Sequence, residues 1–586
     1  MSPGPALRRR ALLAGAAGSL AAASGCVGEL QNLVGRERRR QLSLSIATVP
    51  ASQDAYAIRL ANHLRENLES AGIGVSVSPM APDVLLREVL VNHRYDIYVG
   101  RYPSRGDPDE LRTLLHSAYG EEAGWQNPFG FSSVAVDDLL EEQRTVGGGE
   151  RVATVRRLQD RVVELQPFTV VAFADHIAAA RTERFDGWMA GGPTRPTDYL
   201  RLRRDGEEST LRPVVNDVRP TKNWNPLAVE YRNRSRVVDL LYEPLVRWPA
   251  GSPVPWLARS VDWDEGAGSL TATVPLRETP WHDGEPVTPA DVAFTYEFLT
   301  DTSLGGMDTP VPTPWRRGAV SLVDDATVRD GTIHMTFTTD NPAIARRALE
   351  VPILPEHVWS EYSDAADLAG IDLVGGTTEA LVRTNEDPVG SGPLRFVSAT
   401  TDRSLELETF ESHFLYRGDT GGIPDGIAGP PAFDRAAFTV APSEDAAAEL
   451  LEAGDADATA DGLHAGTVPR VTRTGALSLL VARAEPFYLL GYNCRRAPLS
   501  NQRFRRVVAR HVDRESLVSS AFGGYADPAE AALKGRWVPD VLEWDGTARL
   551  SFLGEDGDLD VEAARAAFRE AGYQYDGDRL VTRGTA

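Results

Sequence analysis

Residues 276–299 read LRETPWHDGEPVTPADVAFTYEFL, and they set the frame for the rest of the chain. A tight hairpin puts Trp281, His282, Asp283 and Gly284 at its tip. Thr288 then stands as the N-cap of a helix that opens on Pro289, with Asp291 three residues after the cap. Just upstream, an apolar helix from Arg236 to Leu241 runs into a tyrosine-containing turn. Such a run of turns and caps is scaffold and holds nothing catalytic. His282 beside Asp283 invites a metal reading, but no other histidine stands at ligand spacing to it, so the pair is read as shaping the hairpin.

Working outward, the chain has 586 residues, more than one core normally serves, and a net charge of -23. Lysine stands only at Lys222 and Lys534, so nearly all positive charge is arginine. This balance repels nucleic acid and anionic lipid. An acidic, lysine-poor surface also suits concentrated salt, where the Debye length falls to about 3 Å, although GC-rich coding explains the lysine deficit equally well. At the front, RRRALLAGAAGSLAAASGC (8–26) places three arginines before an apolar run too short to span a bilayer. Paired arginines favour twin-arginine export. Ala23 to Cys26 resemble a lipobox, so Cys26 is expected to be lipidated, the alternative being an ordinary cleaved signal with an incidental cysteine. Cys494 is the only other cysteine, which excludes an internal disulfide once Cys26 is acylated. Residues 27–40 read as a tether.

Residues 41–187 alternate strand and helix. QLSLSIATV is a strand, DAYAIRLANHLRENLESAG a helix stopped by Gly72, and IGVSVSPM a second strand. A turn at GDPDE (106–110) follows, then a helix from about Gly149 to Leu165 and a strand at FTVVAFADHIAAA (168–180). This is an α/β pattern with no nucleophile elbow, metalloprotease helix or phosphate loop.

With these residues in view, the chain resembles the extracytoplasmic solute-binding proteins of ABC transporters, the large peptide and nickel binding class. The 276–299 stretch carries the resemblance, and VPILPEHVW (351–359), DPVGSGPLRF (387–396), YLLGYNCRRAPLSNQRFRRVVARHVDRESLV (488–518) and DVEAARAAFREAGY (560–573) follow in family order. The resemblance implies an α/β, two-lobed periplasmic-binding-protein fold (type II, Venus-flytrap) with an extra domain. In that family the helix resembling 560–573 is followed by elements that this chain carries at its front, so residue 41 placed after residue 586 restores the usual order. The chain is therefore read as circularly permuted, with the old join in the loop-like 188–215 stretch. The alternative is an α/β module fused to a truncated binding protein. The expected domains are 41–187 and 485–586 as the two halves of the C-terminal lobe, 188–255 with 389–484 as the first-lobe core, and 256–388 as its additional domain.

By resemblance, the ligand cleft is lined by Gly100, Arg101, Tyr102, Ser104 and Arg105. In peptide-binding members an aspartate here meets the ligand's ammonium group, whereas Ser104 stands at that position with Arg105 beside it, which suits a carboxylate or other anion better. Trp125, Asn127 and Phe129, with Trp224 and Asn225, offer apolar walls and polar anchors. Gly390 and Ser391 could admit a close backbone approach or a hinge. The implied function is a lipid-anchored, monomeric binder on the outer face of the cell membrane that delivers a peptide or other small solute to a separate ABC permease and its ATPase, with no cofactor and no nucleic-acid partner. A surface sensor without transport and a secreted hydrolase are the rival classes.

Overall fold

The computed structural model describes residues 40–231, 237–249, 251–266, 269–366 and 376–582; the expected leader, Cys26 and most of the tether lie outside the described residues. In the 276–299 stretch, Trp281 N donates to Glu285 O at 2.7 Å and Gly284 N to Trp281 O at 3.0 Å. Thr288 N and Oγ1 both donate to Asp291 Oδ2, at 2.8 and 2.9 Å, and so fix the start of the helix Pro289–Thr300. This reciprocal cap satisfies donors that a helix start otherwise leaves bare. Trp281 is fully buried, so the hairpin tip is an anchor.

In chain order the strands that build the frame are β1 (Ser43–Thr48), β2 (Gly74–Pro79), β3 (Ile97–Tyr102), β4 (Phe168–Ala174), β5 (His176–Arg181), β6 (Pro213–Val215), β7 (Leu394–Thr400), β8 (Ser404–Thr409), β9 (Arg435–Val440), β10 (Ala458–Thr459), β11 (Leu477–Ala482), β12 (Phe487–Tyr492) and β13 (Ala526–Pro528). One six-stranded sheet has the order β13–β4–β12–β3–β1–β2. Its strands come from both ends of the sequence. Strands β1, β2 and β3 are parallel, and β12 runs antiparallel to both β3 and β4. The helix α1 (Ala55–Ser70) turns Leu60, Leu64 and Leu68 into the core at helical spacing. A second, eight-stranded sheet has the path β7–β8–β9–β6–β10–β5–β11, with Thr210–Leu211 pairing on β9.

The structure breaks the strand expected over 168–180. Its first half, β4, lies in the six-stranded sheet and its second half, β5, in the other, with Asp175 between them. The front segment therefore leaves the six-stranded sheet at residue 175 and not at the expected boundary of 187. An apolar run reads as one strand by periodicity, and a single charged residue inside it does not register as a crossing between two sheets. The chain crosses back between β11 and β12, over residues 483–486.

A four-stranded sheet, ordered Asp262–Asp264, Thr271–Val274, Thr332–Phe337, Val323–Arg329, sits beside the eight-stranded one. Val274, Ile333, Phe298 and Trp359 share one apolar core with Val215, Leu394, Leu407 and Phe438 of the eight-stranded body. The six-stranded sheet packs around separate clusters. Two bodies result, a first lobe with its additional sheet and a second lobe, joined by the two crossings.

The two ends of the described chain meet on the second lobe. Arg40–Gln41 pairs antiparallel with Arg579–Thr582, which also pairs with Gln574–Asp576. Leu42 N donates to Leu580 O at 2.8 Å, and Leu580 N to Gly72 O at 2.9 Å. Gly72, at φ 96°, is required here, because a Cβ would fall 2.1 Å from Asp578 O.

Candidate functional site

In the second lobe β1, β3 and β4 share a direction, so Thr48, Tyr102 and Ala174 end on one side. In the first lobe β6, β9 and β10 are mutually parallel, and β5, antiparallel to β10, starts beside β10's carboxyl end. Asp175 links the two, so the carboxyl ends of both sheets face each other. Open α/β sheets bind ligands in that position. Tyr56, just past β1, accepts a 2.7 Å hydrogen bond at its hydroxyl from Ala465 N of the first lobe, which marks how closely the lobes approach.

The crossing is tied by charge. Asp175 N donates to Tyr525 O at 2.9 Å, and Arg483 Nη1 reaches Asp175 Oδ1 at 3.2 Å and Asp527 Oδ1 at 2.7 Å. Burial raises the Asp175 carboxyl above its ordinary value against the pull of Arg483, with Asp527 adding to the rise. Lys534 donates to Ala484 O at 2.8 Å and lies 4.4 Å from the Phe173 ring centroid, bracing the second crossing.

On β3, Gly100 lies between Tyr98 and Tyr102 on one face of the strand. A Cβ at Gly100 would stand 2.2 Å from the Tyr98 hydroxyl, so the glycine lets that ring lie across the strand. Trp125 meets Tyr102 edge-on at 5.1 Å and Tyr98 at 6.1 Å, and Tyr102 also touches Phe487 at 5.2 Å. Burial, with the Glu110 charge behind it, pushes the Tyr102 phenol well up. Arg101 alternates to the other face, opposite Tyr488. Gly100, Tyr102 and Trp125 are thus brought together, while Arg101 is not part of that group.

Ser104 and Arg105 are built into the turn that follows. Ser104 Oγ donates to Glu110 Oε2 at 3.1 Å and accepts from Gly106 N at 3.0 Å, while Arg105 N donates to both Glu110 oxygens. The Arg105 guanidinium pairs with Glu350 of the first lobe. Asn127 and Phe129 are fully buried. Asn127 Nδ2 donates to Phe131 O at 2.7 Å, its Oδ1 accepts from Phe131 N, and Phe129 packs against Phe168 with the rings tilted. Trp224 packs on Phe396 at 4.5 Å, and Asn225 Nδ2 donates to Ala380 O at 2.8 Å. Gly390 and Ser391 lie beneath the hairpin tip, where His282 N donates to Gly390 O at 2.8 Å. These last six residues engage the protein's own framework and stand apart from the Tyr102–Trp125 group.

Charged groups at the strand ends went unread in the sequence. Asp461 Oδ2 accepts from Asn216 N at 3.0 Å and from Asp217 N at 3.1 Å, and Asp217 holds Arg219 through several bonds. Asp54 caps α1 and accepts the Tyr488 hydroxyl. Each pair joins residues far apart in sequence, or too ordinary in type to stand out. The arrangement can enclose and orient a solute. Among the described residues no group of three or more His, Cys, Asp or Glu is placed to hold a metal ion.

A family model, bacterial extracellular solute-binding proteins, family 5 Middle, matches residues 252–585. A Brucella ovis protein described as an ABC transporter peptide-binding protein is 24% identical over 345 residues, 57% of this chain and 58% of that one. The oligopeptide-binding protein AppA of Bacillus subtilis is 22% identical over 321 residues, 51% of this chain and 52% of AppA. This chain spans little more than half the length of either relative. Among solved structures, AppA from Bacillus subtilis in complex with a nonapeptide aligns with a TM-score of 0.45 at 19% identity, covering 63% of this chain and 66% of that one.

Proposed function

The chain belongs to the bacterial extracellular solute-binding proteins of family 5, and we propose that it captures a peptide-like or other small solute between its two lobes and hands it to an ABC permease driven by a separate ATPase. The observation that carries this reading is the pair of facing strand ends joined by two crossings, the mechanical requirement for closing over a solute and excluding water. Tyr98, Tyr102 and Trp125 supply an apolar wall beside the crossing. Among the described residues no helix is long and apolar enough to cross a membrane. Attachment to the membrane is assigned to Cys26 and a second acyl chain, since one chain alone binds only marginally. The carboxylate-preferring reading of Arg105 is retained for an open form in which Glu350 has moved away.

Native mass spectrometry of the exported protein, purified without refolding, tests this. A bound solute that is released on denaturation is expected, with Trp125→Ala weakening its retention roughly tenfold, about 1.4 kcal/mol. An empty protein with no thermal shift across a broad panel of peptides, sugars and organic acids sinks the reading.

The domain order is part of the proposal. The family match covers none of the 40–174 segment, yet that segment supplies four of the six strands in the sheet that β12 and β13 complete. Paired antiparallel strands keep Cα atoms about 5 Å apart, so the ends at Arg40 and Thr582 are close enough for a short linker. This supports a circular permutant, with its old join near Gly206, an open turn at φ 108°. A chain restarted at Glu207, with Thr582 linked to Arg40, is expected to give the same circular dichroism and melting midpoint; an aggregated product counts against the permutation.

A further inference from the structure

Away from the crossings, the additional sheet and its flanking segments meet the second lobe along a seam of charge. Arg347 Nη1 lies 3.3 Å from Asp107 Oδ1 and 3.3 Å from Asp109 Oδ2, and its Nη2 lies 3.6 Å from Glu110. Glu350 pairs with Arg105, and Arg317 holds Glu122 through bonds of 2.9 and 3.2 Å. Asp109 is fully buried and is gripped from its own lobe by Arg144, at 2.6 and 2.7 Å, and by Gln143 at 2.7 Å. Thr339 Oγ1 donates to Arg144 O and Gln126 Nε2 to Pro314 O, both at 2.8 Å. The contrast with the other side of the same sheet is informative, because there the additional sheet is fused to the first lobe through a continuous apolar core.

Those two boundaries respond differently to opening. Parting an apolar core exposes its whole area to water at about 25 cal/mol per Å². Parting paired charges returns each to its hydration shell, which offsets most of the attraction lost, whereas deleting one partner strands the other in a dry site. A seam of complementary charge closed over the buried Asp109 is therefore stable when shut and separable as a unit. We infer that this seam is an ionic latch: Arg347 and Glu350 of the first lobe lock onto the 105–110 turn of the second when the lobes close, and release it when the lobes turn about Asp175 and residues 483–486.

Asp109 and Arg347 keep their charges over a wide range of conditions. Burial pushes the Asp109 carboxyl up, but Arg144, with Arg347 and Gln143, outweighs it and holds the group at about 2. Burial lowers Arg347, and the carboxylates around it more than reverse that. Screening by salt acts on exposed pairs far more than on enclosed ones, so in concentrated salt the Arg347–Asp109 contact outlasts the more exposed Arg105–Glu350 pair.

This inference rests on the two-lobed closure proposed above, and its test reads lobe separation instead of solute. Small-angle scattering on the full chain is compared for wild type, Arg347→Met, Arg317→Glu, Glu122→Arg and the Arg317→Glu/Glu122→Arg swap, each checked by circular dichroism. Arg347→Met and both single reversals are expected to shift the radius of gyration upward, and the swap to return it to the wild-type value. If Arg347→Met fails to fold, the partly buried Arg317–Glu122 set decides alone. Folded variants that all keep the wild-type radius overturn the latch, as does an expansion that the swap leaves unreversed. A protein that carries no solute yet shows these shifts keeps the latch and loses the capture reading.

Discussion

Acidification from pH 6.5 to 4 is expected to remove up to about 6 kcal/mol of folding stability through two histidines, His282 and His511. His511 is fully buried; its Nδ1–H donates to Val507 O at 2.8 Å, and Nε2 has no hydrogen-bond partner among the described residues. A proton on Nε2 is a buried cation with no acceptor. His282 donates from Nε2 to Gly392 O at 3.0 Å and accepts at Nδ1 from Gly390 N at 3.3 Å, so its protonation sets N–H against N–H. Burial lowers both to about 4, against an ordinary value of 6.5. The sign follows from linkage. The unfolded chain takes up these protons at 6.5 and the folded chain only near 4, so the contribution is intact above 6.5 and is lost as pH falls between the two values. Each group contributes about 3 kcal/mol over that span. Glu110 and Glu230, whose carboxyls burial raises, act oppositely, because neutralising them on the way down relieves a buried charge. Urea unfolding at pH 7 and pH 4.5 measures the balance. His511→Leu is expected to flatten the dependence by about 3 kcal/mol over the full span; a variant whose free energy changes with pH as steeply as the wild type's sinks the assignment.

The same residues show where the sequence could be read. The tip from Trp281 to Gly284 and the cap at Thr288 were legible because turns and caps are local: their residue types act within four positions. His282 is expected to shape the hairpin, and it meets that tip through partners at Gly390 and Gly392, 108 and 110 positions on, which no local pattern reveals. The crossing at Asp175 was missed because an apolar run has the same texture in one sheet as in two. Arg347 and Asp109 lie 238 positions apart, and no spacing rule reaches that far. Of the expected cleft residues, Gly100, Tyr102 and Trp125 share a place because two lie on one strand face, and alternation is again local. Ser104 was singled out for its position, while what engages it, Glu110, was not.

Gly390→Ala is expected to cost more than about 4 kcal/mol, the range that marks a change no side-chain shift can absorb. The sequence suggests that this glycine lets the backbone approach a ligand or acts as a hinge, but what it approaches is another stretch of the protein's own backbone. A Cβ on Gly390 would stand 1.8 Å from Leu241 O and 2.8 Å from its carbonyl carbon, and one on Gly392 would stand 2.2 Å from Leu240 O. Both obstacles are backbone, and the Leu241 carbonyl is held in place by accepting from Gly392 N at 2.9 Å. Making room means lifting 390–392 off the 240–241 segment, which also breaks the His282 bonds that seat the hairpin tip. The reason is space and not dihedral freedom, so alanine is excluded as firmly as valine. Ser391 between them supplies the contrast. It is fully buried, and its hydroxyl has no hydrogen-bond partner among the described residues. Removing an unsatisfied buried hydroxyl is neutral or stabilising, so Ser391→Ala should melt at or above the wild-type temperature. A collapse of Gly390→Ala in a thermal melt beside an unharmed Ser391→Ala places this segment in the frame of the first lobe. Two variants that melt like wild type but release solute more readily would return the segment to the cleft.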